Sequence, residues 1–400
     1  MSAQDRYAPL AGLRVLDLTQ QVAGPYCTKL MADLGAEVIK VERPGRGDVL
    51  RGMHLFDYLN AGKRSVTIDA STAAGRDLIL RLAQKADVVV ESFRPGTMAK
   101  WRLDFDLLVE VNPTIVLTSV STFGQVGPYR DRLSSELILQ SLGGIVFFTG
   151  SPERAPRGIS LPVAQCVGGL TAYVATLSVM VDGVTPRRAE WIDVSILESL
   201  LSLQDPLLTQ YAYSGHKRYR AGRRGVTSGP GMGRPTYPKG VMPCRDGHVY
   251  VLCVVPEHWV QIAAMIGRPE LADDSRYSTP EQRLARADEI DALLGEWLVQ
   301  HDAPEIFEEA QRRRLPFGML ASPAMLLKSR HLNERKFFRQ IASADGETLR
   351  VPGLPFRPVG LFEQPPQSVA RLGAHNSEVL GASLGLTPSE IATLAQQGVI

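Results

Sequence analysis

The sequence predicts an α/β fold, with a large domain built on a parallel sheet and a second, smaller α+β domain. In the first half of the chain, short β-branched and aliphatic runs alternate with helical patterns, as in repeated βαβ units. A Gly-, Arg- and Pro-rich stretch at residues 214–239 interrupts this pattern and is too long for an ordinary connection inside one compact domain. The length of 400 residues, of which 44% are hydrophobic, also suits two domains.

The first βαβ unit sets the pattern for the rest. Residues 13–18 (LRVLDL) form a short aliphatic run, typical of a buried parallel strand. Pro25 stands near the first turn of a helix predicted at 26–34, Gly35 ends that helix, and residues 37–41 form the next strand. The unit repeats, with strands predicted at 65–69, 87–91, 115–119 and 190–194 and helices at 72–85, 107–111, 135–143, 171–181 and 195–213.

The second half of the chain has a different pattern. Residues 241–255 are typical of a β-hairpin that turns at Arg245, Asp246 and Gly247. Helices are then predicted at 258–266, 280–301, 304–314, 377–384 and 388–397. No internal repeat is present in the sequence.

Composition excludes several functional classes. The net charge is +2 and the charges are dispersed, which argues against nucleic-acid binding. Cys27, Cys166, Cys244 and Cys253 show no paired spacing, so we expect neither a metal site nor a disulfide scaffold. No uninterrupted apolar run reaches membrane-spanning length, and the polar start lacks the apolar core of a signal peptide. We therefore expect a cytoplasmic protein that does not bind a membrane.

A nicotinamide-binding domain is the obvious rival for the first βαβ unit. Glu42 follows the second strand, where such a domain carries its ribose-binding acid. The first turn, however, has no G-x-G-x-x-G motif, and Gln20, Gln21 and Val22 occupy it. Their side chains would obstruct a pyrophosphate, so we expect no nicotinamide cofactor.

The stretch LPVAQCVGGL at residues 161–170 is the strongest candidate for a site. Gln165 is predicted where a loop becomes a helix, so that its side chain projects into a cleft lined by helix N-terminal N–H groups. Gly168 and Gly169 would allow a ligand or another backbone to approach closely. The alternative is an ordinary helix start that packs on a neighbouring element.

Six motifs support a functional interpretation. In chain order they are VLDLTQQVAGP, LGAEVIKVE, NAGKRSV, ADVVVESFRPG, GQVGPY and RAEWIDVSILES. Together they resemble the class III CoA-transferases, a family that includes formyl-CoA and carnitine CoA-transferases and α-methylacyl-CoA racemase. The resemblance runs from about Pro9 to the C-terminus.

The resemblance implies an architecture. It implies a Rossmann-like, CoA-binding large domain at residues 1–213, a linker at 214–239, a small domain at 240–325, and a segment at 326–400 that returns to the large domain. It also implies an interlocked dimer, in which two chains thread through each other.

The resemblance also exposes a departure at the expected nucleophile. Transferases of this family carry an aspartate at the position of Gln165, and that carboxylate attacks the thioester carbonyl. An amide cannot replace it, because the nitrogen lone pair is delocalised and the oxygen carries no full charge. Cys166 lies about 100° further round a helix and is expected to face elsewhere. The racemase branch of the family carries its proton-shuttling His and Asp in this same region. Residues 150–180 contain neither His nor Asp, so racemisation is not expected.

The CoA contacts implied by the resemblance fall on four loops. They are Val22, Ala23, Arg43, Ile68, Asp69, Ala70, Ser71, Ser92, Phe93 and Arg94, with Lys100 where an arginine is common. At the acyl site, Val22 replaces a glutamine of formyl-CoA transferase, and Ser135 replaces an aromatic residue. The acid that follows, Glu136, is present, either as a buried carboxylate of the site or as a helix-start residue.

Two hypotheses follow. In the first, the chain is the nucleophile-lacking subunit of a CoA-transferase, paired with an aspartate-bearing paralogue as in the benzylsuccinate type. In the second, it is a divergent stand-alone transferase or another enzyme that processes acyl-CoA. In both, the ligands are a CoA thioester and a carboxylic acid.

Overall fold

The computed structural model describes residues 8–181, 188–203, 205–215, 220, 222, 236–356 and 367–400. The chain divides into two units. The larger unit comprises Met1–Gly143, Ile159–Leu203 and His331–Ile400, and the smaller unit comprises Gly144–Gly158 and Gln204–Arg330. Most of the predicted linker, residues 214–239, lies outside the described residues.

The larger unit is built on a six-stranded parallel sheet. Its strands are β1 (Arg14–Asp17), β2 (Glu37–Glu42), β3 (Arg64–Thr67), β4 (Val88–Glu91), β5 (Val116–Ser121) and β6 (Glu190–Ser195). Their order is β3-β2-β1-β4-β5-β6, and every neighbouring pair is parallel. The predicted α/β fold is confirmed, and each predicted strand lies within two residues of its observed bounds.

The helices are numbered along the whole chain. They are α1 (Ala23–Asp33), α2 (His54–Asn60), α3 (Ala73–Ala83), α4 (Thr97–Lys100), α5 (Phe105–Val111), α6 (Glu136–Leu142), α7 (Ile145–Phe148), α8 (Val163–Met180), α9 (Ile196–Ser202), α10 (Asp205–Ser214), α11 (Pro256–Met265), α12 (Pro280–Ala285), α13 (Ala287–Leu298), α14 (Ala303–Arg312), α15 (Pro323–Lys328), α16 (Arg330–Glu334), α17 (Asn376–Glu378) and α18 (Pro388–Gln396).

The largest differences from the predicted helix bounds occur at three places. The helix predicted at 171–181 begins eight residues earlier, at Val163, so both glycines of the candidate stretch lie inside α8. The helix predicted at 195–213 is divided into α9 and α10. The helix predicted at 280–301 is divided into α12 and α13 at Arg286, whose φ of −113° departs from helical geometry.

The two glycines of α8 are packing positions. A Cβ on Gly169 would lie 2.3 Å from the carbonyl oxygen of Ala23, and one on Gly168 would lie 2.8 Å from Ile196 Cγ1. Only glycine therefore lets α8 pack this closely on α1 and α9. By length and composition alone α8 could cross a membrane. Its close contacts with α1 and α9 are those of a helix in a folded domain.

The C-terminal residues complete the larger unit. A small sheet contains β10 (Phe338–Ala342), β11 (Thr348–Pro352) and β12 (Gln367–Ser368). The side chain of Asn376 accepts the N–H of Thr67 at 2.8 Å, and the carbonyl of Val399 accepts the N–H of Asp69 at 2.8 Å. The C-terminal segment thus fixes the loop that follows β3.

The smaller unit has its own core. Its hairpin of β7 (Lys239–Cys244) and β8 (Gly247–Leu252) turns at Arg245 and Asp246, which confirms the prediction, and β9 (Gly318–Met319) pairs with β8. Apolar side chains of the hairpin and of α11, α13 and α14 form the buried cluster.

Candidate functional site

Two cavities open at the carboxyl ends of the parallel strands. The strand order changes direction between β1 and β4, and in open α/β sheets the crevice at such a point is the usual ligand site. Cavity A has a volume of about 320 Å³ and cavity B about 340 Å³. Gln20, after β1, and Phe93, after β4, line both cavities, so one ligand can extend from one to the other.

Cavity A is a mainly apolar slot among the loops that follow β1 to β4. Its walls are Leu18, Gln20, Val41, Glu42, Arg43, Ile68, Asp69, Ala70, Ser71, Ile79, Phe93, Trp101 and Leu103. The Phe93 and Trp101 rings meet edge to face, with centroids 4.9 Å apart. Arg43 is exposed and adds a positive charge. Such a slot suits a flat aromatic group that is joined to a phosphate.

Cavity B is more polar. It is lined by Gln20, Gln21, Ala23, Ser92, Phe93, Arg94, Pro95, Val120, Ser121, Thr122, Arg130, Asp131, Arg132, Leu133, Ser134, Ser135, Glu136, Leu139, Gln165 and Ile196. Hydroxyl, amide and guanidinium groups alternate with a few aliphatic side chains. This lining suits a short polar acyl group better than a long hydrocarbon chain.

Gln165 lies in the first turn of α8, with its side chain in the wall of cavity B. The Glu136 carboxylate accepts the N–H groups of Ala164 at 2.8 Å and of Gln165 at 3.3 Å. Two of the helix N-terminal N–H groups that we expected to line the cleft are therefore bound by Glu136. Glu136 has a helix-end role, but its carboxylate caps α8, while Ser135 caps its own helix α6.

Gln140 holds the segment that precedes α8. It is 1% exposed, and its Nε2 donates to Glu136 Oε1 and to the carbonyl of Ile159, both at 2.9 Å. The N–H of Ile159 returns a bond to Gln140 Oε1 at 2.8 Å. Both Glu136 oxygens thus accept hydrogen bonds. Two side chains of α6 therefore hold the backbone on either side of this point: Glu136 binds the start of α8, and Gln140 binds the segment before it.

Cys166, the residue after Gln165, lies away from this chemistry. It is half-buried and absent from the described lining of cavity B. Burial and the nearby charge of Glu136 raise the pKa of its thiol, so it is a poor nucleophile at neutral pH.

Charged side chains in cavity B favour an anionic ligand. Among the described lining residues, carboxylates come from Asp131 and Glu136, and guanidinium groups come from Arg94, Arg130 and Arg132. Glu136 is occupied by its N–H donors, and Asp131 lies 3.5 Å from Arg130. The remaining positive charge can hold a carboxylate.

A buried ionic network supports the loop after β1. Asp17 contacts Lys63 Nζ at 3.0 Å, and both side chains are almost fully buried. Lys40 Nζ donates to the carbonyl of Thr19 at 2.9 Å. Burial alone would raise the pKa of Asp17, but the charges of Lys63 and Lys40 and the hydroxyls of Thr19 and Thr28 hold it well below its usual range.

Most of the residues predicted from the sequence line one of the two cavities. Cavity A contains Arg43, Ile68, Asp69, Ala70, Ser71 and Phe93, and cavity B contains Ala23, Ser92, Phe93, Arg94, Ser135, Glu136 and Gln165. Val22 is buried before α1, and Lys100 is exposed at the end of α4. Neither belongs to the described lining of these cavities.

The sequence prediction missed Trp101, Arg130 and Arg132. Trp101 lies directly after Lys100, so an aromatic residue beside a predicted phosphate contact was the available signal. The two arginines lie in an irregular loop without periodicity. Only the sheet topology, which places the loop after β5 beside the loop after β4, brings them to cavity B.

Comparisons with known proteins identify the family. The sequence matches the family model described as CoA-transferase family III over residues 10–376. A succinyl-CoA–D-citramalate CoA-transferase of Chloroflexus aurantiacus is 32% identical, with 100% of both chains covered. The beta and alpha subunits of that organism's succinyl-CoA–L-malate CoA-transferase are 31% and 29% identical, with 98% of this chain and 98% and 92% of theirs covered.

A solved structure has a similar fold. A CAIB/BAIF family protein of Brucella suis has a TM-score of 0.85 and 27% sequence identity, and the match covers 94% of this chain and 100% of that one. The chain therefore belongs to CoA-transferase family III.

Proposed function

We propose that the chain binds CoA thioesters and acts in the transfer of CoA between carboxylic acids. The observation that carries this proposal is the pair of cavities that share Gln20 and Phe93. CoA is divided in the same way, into an adenine nucleotide and a pantetheine arm that ends in the thiol. The nucleotide would occupy cavity A, with Arg43 on a phosphate, and the thioester would lie in cavity B near Gln165. Val22 would support the site from beneath.

The phosphates of CoA need further cations. Arg94, in the wall of cavity B, and Lys100, at the exposed end of α4, are our proposed additional contacts. Lysine would act there as a point charge, without the bidentate geometry of arginine.

We further propose that this chain is the nucleophile-lacking subunit of a heteromeric transferase, as in the benzylsuccinate type, within an interlocked dimer. Gln165 supports this, because an amide stands where the transferases carry aspartate. Two relatives named as subunits of one enzyme support pairing within the family. Leu137 on α6 and Leu170 and Val174 on α8 are 57%, 47% and 54% exposed and offer apolar surface to a second chain.

A stand-alone transferase is the alternative. It is favoured by the relative that transfers CoA to D-citramalate, whose name carries no subunit. In that case another carboxylate would have to attack the thioester. Asp131 and Glu136 are the candidates among the described residues that line cavity B.

Arg43→Ala tests the binding of CoA. The variant is expected to bind CoA more weakly by about 1–3 kcal/mol, because it loses a charged hydrogen bond at the rim of cavity A. Isothermal titration calorimetry of the assembled protein with free CoA measures this loss.

Arg46→Ala is the matched control. Arg46 is exposed three residues further along and lies outside the described lining of cavity A, so its removal should leave the affinity close to that of the wild type. Equal losses in both variants would indicate general attraction by positive charge. No CoA binding to the wild-type assembly would refute the proposed function.

A further inference from the structure

Glu91 is a buried carboxyl group directly behind the loop that the two cavities share. Glu91 is the last residue of β4 and is only 3% exposed. Its Oε2 accepts the N–H of Phe93 at 2.7 Å. Because Phe93 lines both cavities, this bond fixes the wall that a ligand spanning them would contact.

The sheet places a second carboxylate close to Glu91. In the strand register, Glu91 pairs with Ser119 on β5, and Ser119 pairs with Asp193 on β6. These three side chains therefore form one row on the same face, with neighbouring strands about 4.8 Å apart. Trp191 Nε1 donates to Ser119 Oγ at 3.0 Å, and Asp193 accepts the N–H of Gln125 at 2.9 Å.

On the other neighbouring strand, β1, neither charged residue lies beside Glu91. Arg14 shares the face of Glu91 but lies at the far end of β1, where it pairs with Asp87. Asp17 on β1 pairs in register with Val90, so its side chain points to the opposite face, where it binds Lys63. Among the described residues, Asp193 is thus the charged group that faces Glu91. Burial, reinforced by Asp193, raises the pKa of Glu91 to about 7, against hydrogen bonds from Ser119 and the Phe93 amide that lower it.

We propose that Glu91 is a positioning residue whose ionised carboxylate holds the Phe93 loop in its CoA-binding form, and that protonation releases this loop. The inference rests on the proposed CoA site. An ionised carboxylate accepts an N–H bond more strongly than a neutral carboxyl group does. Acidification should therefore loosen the wall common to both cavities and weaken CoA binding.

Calorimetry with free CoA at pH 6, 7 and 8 tests this role in the wild-type assembly and in Glu91→Gln. The wild type should bind CoA about fivefold more weakly at pH 6 than at pH 8, the difference between a charged and a neutral hydrogen bond. Glu91→Gln, a neutral analogue of nearly the same shape, should show the weaker affinity throughout. Protonation of CoA itself changes its affinity equally for the wild type and for Glu91→Gln, so this effect cancels when the two are compared.

Asp193→Asn gives a second, directional test. Removing the facing negative charge should move the midpoint of the wild-type pH dependence to lower pH, while Glu91→Gln remains flat. A structural role alone would not produce this shift.

The stability of the protein should have the opposite pH dependence to that of CoA binding. Below pH 7 the folded protein keeps the Glu91 proton that the unfolded chain loses near pH 4.5. The free energy of unfolding should therefore fall as the pH rises from 5 to 8, and this slope should be smaller in Glu91→Gln. Urea titrations measure it and also show that the variant folds.

The outcomes separate the two proposals. No CoA binding at any pH would refute the proposed function, and the positioning role with it. CoA binding with equal pH slopes in the wild type and Glu91→Gln would overturn the role of Glu91 alone.

Discussion

Incubated with an acyl-CoA, the purified chain alone is expected to form no covalent adduct at Gln165. Its side chain lines cavity B, so the absence of an adduct would reflect chemistry rather than access. An amide lacks the full charge needed to attack the thioester carbonyl. Transfer should be slower than in an aspartate-bearing assembly by at least about 10³-fold, as when covalent enzymes lose a nucleophile. Peptide mapping after treatment with hydroxylamine or borohydride measures the adduct.

An aspartate-bearing relative treated in parallel is the positive control, and it should be labelled at its matching position. Gln165→Asp restores the carboxylate with a slightly shorter side chain. We expect it not to restore transfer, because Val22 is buried and Ser135 caps α6 where transferases have other groups. Rapid transfer by the wild-type chain alone would contradict the subunit proposal. Asp131→Asn and Glu136→Gln would then locate the nucleophile.

Asp17→Ala is expected to destabilise the protein by about 3–5 kcal/mol, because it leaves the buried ammonium group of Lys63 without its anion. It also removes the acceptor for the hydroxyls of Thr19 and Thr28. The loop that carries Gln20 into both cavities should loosen, so CoA binding should weaken as well. Urea unfolding at pH 7 measures the stability.

Glu270→Ala is the control for this variant. It removes an exposed ion pair with Arg268, so the urea midpoint should barely change. Because the pKa of Asp17 is depressed in the folded state, its stabilisation is present at neutral pH and is lost as the pH falls below about 4. Asp17→Ala should therefore lose less stability on acidification than the wild type. Equal stability of the two proteins at pH 7 would contradict the prediction.

The fold was largely predictable because five of its six parallel strands, β1 to β5, are largely buried. Parallel strands of this kind give short continuous apolar runs, and all six were located within two residues. The helices were harder, because their ends depend on tertiary contacts. α8 begins before its two glycines because α1 and α9 pack against them, which an isolated segment does not reveal.

The site was predictable by position and less so by chemistry. The family resemblance implied that Arg43, Ile68 and Phe93 would contact CoA, and these residues line cavity A. Glu136 caps α8 by binding the N–H groups of Ala164 and Gln165, which follow it in the sequence by 28 and 29 residues. No local pattern predicts that bond, because it depends on how α6 packs beside α8.

The close contact at Gly169 determines which parts of cavity B can move. α8 carries Gln165 in its first turn, and α1 begins with Ala23, which lines the same cavity. Because Gly169 packs directly against the Ala23 carbonyl, α1 and α8 cannot move closer to each other. Moving them apart would open a void between them. If cavity B holds the acyl group, as we propose, a bulky acyl group would enter by displacing the rim, at residues 92–95 and 130–135, while the inner wall stays in place. Selectivity for acyl size would then be decided during entry, by the loops, before the thioester reaches position 165.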